Sequence, residues 1–217
     1  MKIQLLLAVS VLSILFSCKE GTNTNSPEEP STKISDQPKE AQKFGNVENK
    51  NEAENFLISE GRVGNFVLGE SIPGSSDKFQ IEKIMKTRFT EGGKVTEPVY
   101  VVSKNGNTLL HLRPRFENRE YDQVIQEIWV LSPKYKTADG IGVNSTLEEF
   151  KQTYPDSRLW YTYVSDRYVL ESNAVSAQFL LDENDFIGEM NVDEVMEPLK
   201  ISDFKEGATI KKIRLYL

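Results

Sequence analysis

Val99-Tyr100-Val101-Val102-Ser103-Lys104-Asn105-Gly106-Asn107-Thr108-Leu109-Leu110-His111-Leu112 reads as a β-hairpin. A β-branched and aromatic run meets Asn-Gly, and a second apolar run returns from it. Asn105 and Gly106 tolerate the positive φ that a type I′ turn demands, and that turn's twist matches the strands it joins. The period of two extends outward. Arg88 to Glu91 leads into a Gly92-Gly93 turn, and Val95 to Ser103 follows as a strand. Earlier, Asp77 and Gln80 have the spacing of a capping pair. Phe79, Ile81, Ile84 and Met85 fit a short helix or a strand equally well. Beyond the hairpin, Arg113 to Asp122 reads as a polar loop. Val124 to Leu131 is the next strand, with Ile125, Trp129 and Leu131 set against Gln126, Ile128 and Val130.

One helix stands out among these strands. Ser145 and Glu148 form a capping box, Leu147, Phe150 and Tyr154 share a face, and Pro155 closes the segment. Strands are expected again at Leu159 to Val164, Tyr168 to Leu170, Val175 to Leu181 and Ile210 to Leu217, with turns at Asp166-Arg167 and Ser172-Asn173. Residues 182–207 read as a long loop or short helix. Two glycine-turn segments, Gly64 to Gly74 and Gly140 to Ser145, each precede a potential short helix and then strands, which suggests an internal duplication. The expected fold is α+β and strand-dominated: an antiparallel sheet of about seven to nine strands with one or two short helices packed on it.

The N-terminal region has another character. Lys2 and the apolar run Ile3 to Phe16 have the charge and length of a signal peptide, too short for a permanent membrane span. The run ends Leu15-Phe16-Ser17-Cys18. A leucine three residues before the cysteine and a small residue directly before it resemble the bacterial lipoprotein signal, although Phe16 departs from the residues commonest at its position. In that reading the Cys18 thiolate takes a diacylglyceryl group and becomes the new N-terminus, and several acyl chains give stable membrane attachment. Residues 19–56 are poor in apolar side chains and rich in Glu, Lys, Asn, Ser, Thr and Pro, which suits a disordered tether. Its average reach is roughly 35 Å. The expected organisation is a signal peptide at 1–17, lipidated Cys18 with its tether at 18–56, and a globular domain at 57–217.

The formal net charge is -7. Removing residues 1–17 takes away Lys2 and leaves 25 basic against 33 acidic residues. A body of that sign repels phosphate backbones and makes nucleic acid a poor partner. Cys18 is the only cysteine, so an intramolecular disulfide is excluded. His111 is the only histidine, and a Ser-His-Asp triad or a histidine-ligated zinc site would have to use it. It lies in a strand, alternating with apolar neighbours, where histidines are commonly structural. No cofactor is implied. Asp182-Glu183-Asn184-Asp185 reads as an acidic turn more readily than a calcium loop. Arg113, Arg115 and Arg119 form a local basic cluster suited to phosphate or carboxylate groups, interleaved with Glu117, Glu120 and Asp122. Trp160, Tyr161, Tyr163 and Tyr168 are either a ligand platform or cross-strand pairs.

Taken in order, the lipoprotein signal, Val63-Gly64-Asn65-Phe66, Phe89-Thr90-Glu91-Gly92, Tyr100-Val101-Val102, Leu109-Leu110, Ile128-Trp129-Val130-Leu131, Gly140-Ile141-Gly142 and the closing Ile210 to Tyr216 resemble a small family. It comprises bacterial envelope lipoproteins regulated by the stress sigma factor sigma E, whose shared domain has no assigned function. The resemblance covers residues from about 60 to 216 and rests on glycine turns and apolar strands. It implies a periplasm-facing lipoprotein and supplies no catalytic residues. Cysteines found elsewhere in such proteins have no counterpart here. The leading expectation is a non-enzymatic lipoprotein of the outer membrane that binds an envelope component or protein. A small-molecule or glycan-binding module using Trp160, Tyr161, Tyr163, Arg113 and Arg115 is the alternative. A hydrolase built on His111 ranks last.

Overall fold

The computed structural model describes residues 56–90, 93–190 and 196–217, all within one compact unit, Phe44–Leu217. Cys18, the signal segment and residues 19–55 of the tether lie outside the described residues, as does the Glu91-Gly92 part of the expected turn.

Four long strands form a meander: β4 (Gln80–Thr90), β5 (Gly93–Lys104), β6 (Asn107–Glu117) and β7 (Glu120–Val130). Lys104 pairs with Asn107, and Asn105 and Gly106 have φ of 53° and 76°, as the Asn-Gly signal requires. Of the two alternatives for the segment around Ile81 and Ile84, the structure has the strand, β4; Asp77 and Gln80 cap no helix, and only a bend at Asp77 and Lys78 precedes it. Another reading needs correction. The expected loop from Arg113 to Asp122 is the end of a hairpin. Glu117 pairs with Glu120 across Asn118 and Arg119, whose φ values of 52° and 69° make a second tight turn without glycine.

The chain then passes through β8 (Lys136–Thr137) to helix α1 (Leu147–Thr153). The capping box belongs one residue later than expected. The Thr146 hydroxyl accepts from the Glu149 amide at 3.0 Å, and the Glu149 carboxylate accepts from the Thr146 amide at 2.8 Å. Ser145 instead accepts from the Gly142 amide, tightening the preceding turn. A second meander follows: β9 (Arg158–Thr162), β10 (Arg167–Ser172) and β11 (Val175–Leu181). Arg167 is the first residue of β10, so the turn precedes it at the positive-φ residue Asp166. Segment 182–190 and 196–209 contains 3-10 turns at Glu183–Asp185 and Ile201–Asp203 and the short strand β12 (Met196–Pro198). The last strand, β13 (Ile210–Tyr216), inserts between β11 and β7. The main sheet is antiparallel and nine-stranded, ordered β12-β9-β10-β11-β13-β7-β6-β5-β4.

A smaller sheet, β3-β2-β1-β8, packs on one face with α1; β1 is Leu57–Ser59, β2 Arg62–Val63 and β3 Phe66–Val67. Val63, Phe66, Leu110, Ile128, Leu147, Phe150, Phe179, Ile213 and Leu215 share the core between these layers. The structure therefore has the expected strand-dominated α+β class, with a small sheet that the sequence did not announce.

The two glycine-turn segments occupy equivalent places. The Gly69 amide donates to Ile125 O, the Ile125 amide to Glu70 O, and the Ile72 amide to Gln123 O. The Asn144 amide donates to Ile210 O, the Ile210 amide to Ser145 O, and the Leu147 amide to Ala208 O. Gly69 and Asn144 both have positive φ, 82° and 68°. This superimposes β7 on β13 and β6 on β11. The bulges agree: β7 skips Gln126 between the pairs Arg113–Glu127 and Pro114–Ile125, and β13 skips Lys211 between Leu180–Lys212 and Leu181–Ile210. At the seam Ile128 pairs with Leu215 and Val130 with Ile213, so a pseudo-twofold axis passes through the pair Trp129–Arg214.

Candidate functional site

On the face of the main sheet away from the small sheet, long side chains stand where strand alternation points them outward. Their polar ends form a chain across eight strands. Arg88 meets Glu97 at 3.4 Å, Arg113 bridges Glu97 at 3.0 Å and Glu127 at 3.3 Å, and Arg214 bonds the other Glu127 oxygen. Arg214 Nη1 donates to Gln178 at 3.2 Å, and Gln178 Nε2 donates to Glu171 at 2.8 Å. Glu171 accepts from Trp160 Nε1 at 3.1 Å and from Arg158 at 3.4 Å. Glu127 is only 5% exposed, so both of its oxygens are committed under the arginines that cover it.

Trp129 lies at the middle of this chain, on the pseudo-twofold axis. It is 8% exposed, yet the guanidinium carbons of Arg167, Arg214 and Arg113 lie 4.7, 5.7 and 5.8 Å from its ring centroid. Val169, Leu180 and Trp160 complete a small apolar cluster on this face. Stacked guanidiniums are held planar and oriented at modest entropic cost.

His111 stands beside Trp129 in the same cross-strand row. Lys86 Nζ approaches its Nδ1 at 3.4 Å. Burial first, then Lys86, Arg113 and Lys212, push its pKa down to about 4. A triad histidine is oriented by a carboxylate; this one faces cations. The charges acting on His111 and Arg167 are Lys86, Arg88, Arg113, Lys212 and Arg214, with Glu127 the one carboxylate among them. Around His111 and Arg167, cations outnumber this carboxylate.

Concavities open on this face among the described residues. One of about 780 Å³ lies between the β4–β5 and β6–β7 hairpins, lined by Arg88, Glu97, Arg113, Phe116 and Tyr216. Another, of about 690 Å³, lies over β9 to β11 and is lined by Arg158, Glu171, Gln178 and again Tyr216. The third, of about 290 Å³, is lined by Trp129 and Tyr168 with the cations Arg167, Lys211 and Lys212 and the acids Asp166, Asp182 and Glu183. Among the described residues, no group of three His, Cys, Asp or Glu side chains is placed to hold a metal ion.

The residues singled out from sequence fall in different places. Arg113 is in the network. Arg115 is tied across its own hairpin to Asp122, at 2.6 and 2.8 Å, and to Glu117 at 3.1 Å. Trp160 joins the outer face, whereas Tyr161 turns inward and pairs across strands with Tyr168. Tyr161 and Tyr163 stack edge to face, and Tyr168 continues to Phe186 and Phe204. None of the three concavities is lined by Trp160, Tyr161 or Tyr163. The side chains that sequence reasoning passed over are Glu127, Arg167 and Arg214. For Glu127 and Arg214 the signal was a charged residue at an alternating position inside an otherwise apolar strand.

No family model matches the sequence, and no curated protein matches it. Among solved structures it is similar to the crystal structure of the uncharacterized protein yfeY from Escherichia coli. That match has 14% identity and a TM-score of 0.47, and covers 74% of this chain and 99% of that one.

Proposed function

We propose that this protein is a non-enzymatic lipoprotein of the bacterial envelope, anchored to the outer membrane through lipidated Cys18, that binds an anionic envelope component with the outer face of its nine-stranded sheet. The charge network on that face carries the reading. Fixing Glu127 and Glu97 under arginines costs desolvation that a plain solvated face of threonine and lysine avoids. What the arrangement provides is a planar, pre-oriented donor array, the form in which arginine recognises carboxylate and phosphate. His111, unprotonated and ringed by cations, suits neither a triad nor a general acid at neutral pH. The order of motifs that resembles the sigma-E-regulated envelope lipoproteins supports the same address. The aromatic residues Tyr161 and Tyr163, packed inward, lend no weight to a glycan platform.

The test is fractionation and in-cell crosslinking with mass spectrometry, comparing the wild type with Cys18→Ala. The wild type is expected in the outer-membrane fraction with envelope partners. Cys18→Ala is expected to leave that fraction and lose them. Unchanged fractionation and partners would exclude the anchored reading.

A further inference from the structure

The arginines of the outer face are unequal. Arg88, Arg113, Arg158 and Arg214 each have a carboxylate within 4 Å. Arg167 has none among the described residues, although its guanidinium is held against Trp129 at 4.7 Å. Burial, and then Arg214, push its pKa below the usual arginine range. A charge that is half-desolvated, among like charges and without a carboxylate within 4 Å is costly, and Glu127 offsets this only in part. Trp129 adds a second unmet demand: its indole N–H is buried and has no acceptor among the described residues. Both residues line the cavity of about 290 Å³, together with Lys211 and Lys212. Three acids also line it, Asp166, Asp182 and Glu183, and two of them are engaged. Asp166 accepts from the Tyr161 hydroxyl, and Asp182 accepts from the Asn184 amide at 3.0 Å and faces Lys211 at 3.8 Å.

We propose that this cavity is an oxyanion site, in which a carboxylate or phosphate group is held by the Arg167 guanidinium and the Lys212 ammonium beside Trp129. The cavity's volume lies at the small end for ligand sites, so the ligand presents one terminal anionic group to it. The stacked guanidinium offers two parallel N–H bonds from an orientation fixed in advance. The proposal rests on the reading of this face as the binding face and names the chemistry it recognises.

The sequence has two tryptophans, Trp129 and Trp160. In the full-length lipidated protein carrying Trp160→Phe, held in nonionic-detergent micelles, Trp129 is the sole indole emitter. Inorganic phosphate, acetate and phosphatidylglycerol doped into the micelles are titrated separately. A saturable change in Trp129 emission with phosphate or acetate identifies a free oxyanion. A change with phosphatidylglycerol alone identifies a lipid headgroup. In either case Arg167→Gln is expected to weaken the response at least tenfold, Arg167→Lys less, and Lys78→Gln, in a distant loop, not at all. Thermal melts establish that each variant is folded. No saturable response to any of the three probes, or a response that Arg167→Gln leaves unchanged, overturns the site. The two readings fail separately. Envelope partners found without an oxyanion response refute only the oxyanion site. An oxyanion response without envelope partners refutes only the partner reading.

Discussion

Pro98 and Pro114 lie just beyond the point where the β5–β6 ladder ends. That ladder runs from Lys104–Asn107 to Tyr100–Leu112, and two positions further along each strand the residue is proline. Neither has an amide proton to donate. β5 continues with β4, and β6 with β7, so the two hairpins fork around the cavity lined by Arg88, Glu97 and Arg113. The double variant Pro98→Val/Pro114→Val is expected to extend the ladder and narrow the fork. Hydrogen exchange should slow at the new amides, with a gain of about 0.5–1.5 kcal/mol per added bond. Unchanged exchange in the double variant would show that something other than the prolines holds the hairpins apart.

His111 makes stability fall with acid. Its folded pKa of about 4 lies below the unfolded value of 6.5, so between these values the unfolded chain binds more protons. Stability from this group is complete above about pH 6.5, declines as pH falls toward 4, and levels off below. The facing groups are Lys86 from β4, Arg113 on β6 itself and Lys212 from β13; Trp129 on β7 is uncharged. Denaturant melts across this range should show a steeper decline for the wild type than for His111→Gln. Parallel curves would mean that the histidine is protonated without penalty.

Glu127 is predicted to hold the outer face together. Glu127→Leu leaves Arg113 and Arg214 without their shared partner and should cost about 3 kcal/mol, or roughly 6–12 °C in Tm for a domain of this size. Adding Arg113→Leu should recover part of the loss, because the charge no longer needs a counterion. A double-mutant cycle reads this coupling. Strict additivity would show that the two side chains do not depend on each other.

The pseudo-twofold relation makes a quantitative prediction. Ile128 and Ile213 occupy equivalent places on β7 and β13, and both are completely buried. Ile128→Ala and Ile213→Ala should each cost about 2–5 kcal/mol, by similar amounts. Because β13 is the middle strand of the main sheet, deletion of residues 210–217 should prevent folding of both meanders. A soluble, cooperatively melting protein lacking β13 would contradict the topology.

Local signals carried the fold far. Asn105-Gly106 located the β5–β6 turn, although a bulge between Val102 and Ser103 shifts the register beyond it, and the apolar face Leu147, Phe150 and Tyr154 located α1. The polar segment Arg113 to Asp122 was misread because its charges look solvated in one dimension. Across the hairpin Arg115 meets Asp122, and Asn118 and Arg119 turn without a glycine. The site was less legible, since its partners are distant in the chain: Glu127 and Arg214 are 87 positions apart. Strict alternation would have separated outward Trp160 from inward Tyr161. Arg167, read as a turn residue, became visible only when β10 brought it over Trp129.

The most direct test of the proposed role is site-specific photocrosslinking in living cells. A photoreactive residue replaces Tyr216 on the outer face or Arg62 on the small sheet, in wild-type and Cys18→Ala backgrounds. Adducts to an envelope component should form from position 216, be absent from position 62, and disappear when Cys18 is replaced. Equal adducts from both faces, or adducts from position 216 that survive loss of Cys18, would contradict an anchored domain that works through its outer sheet face.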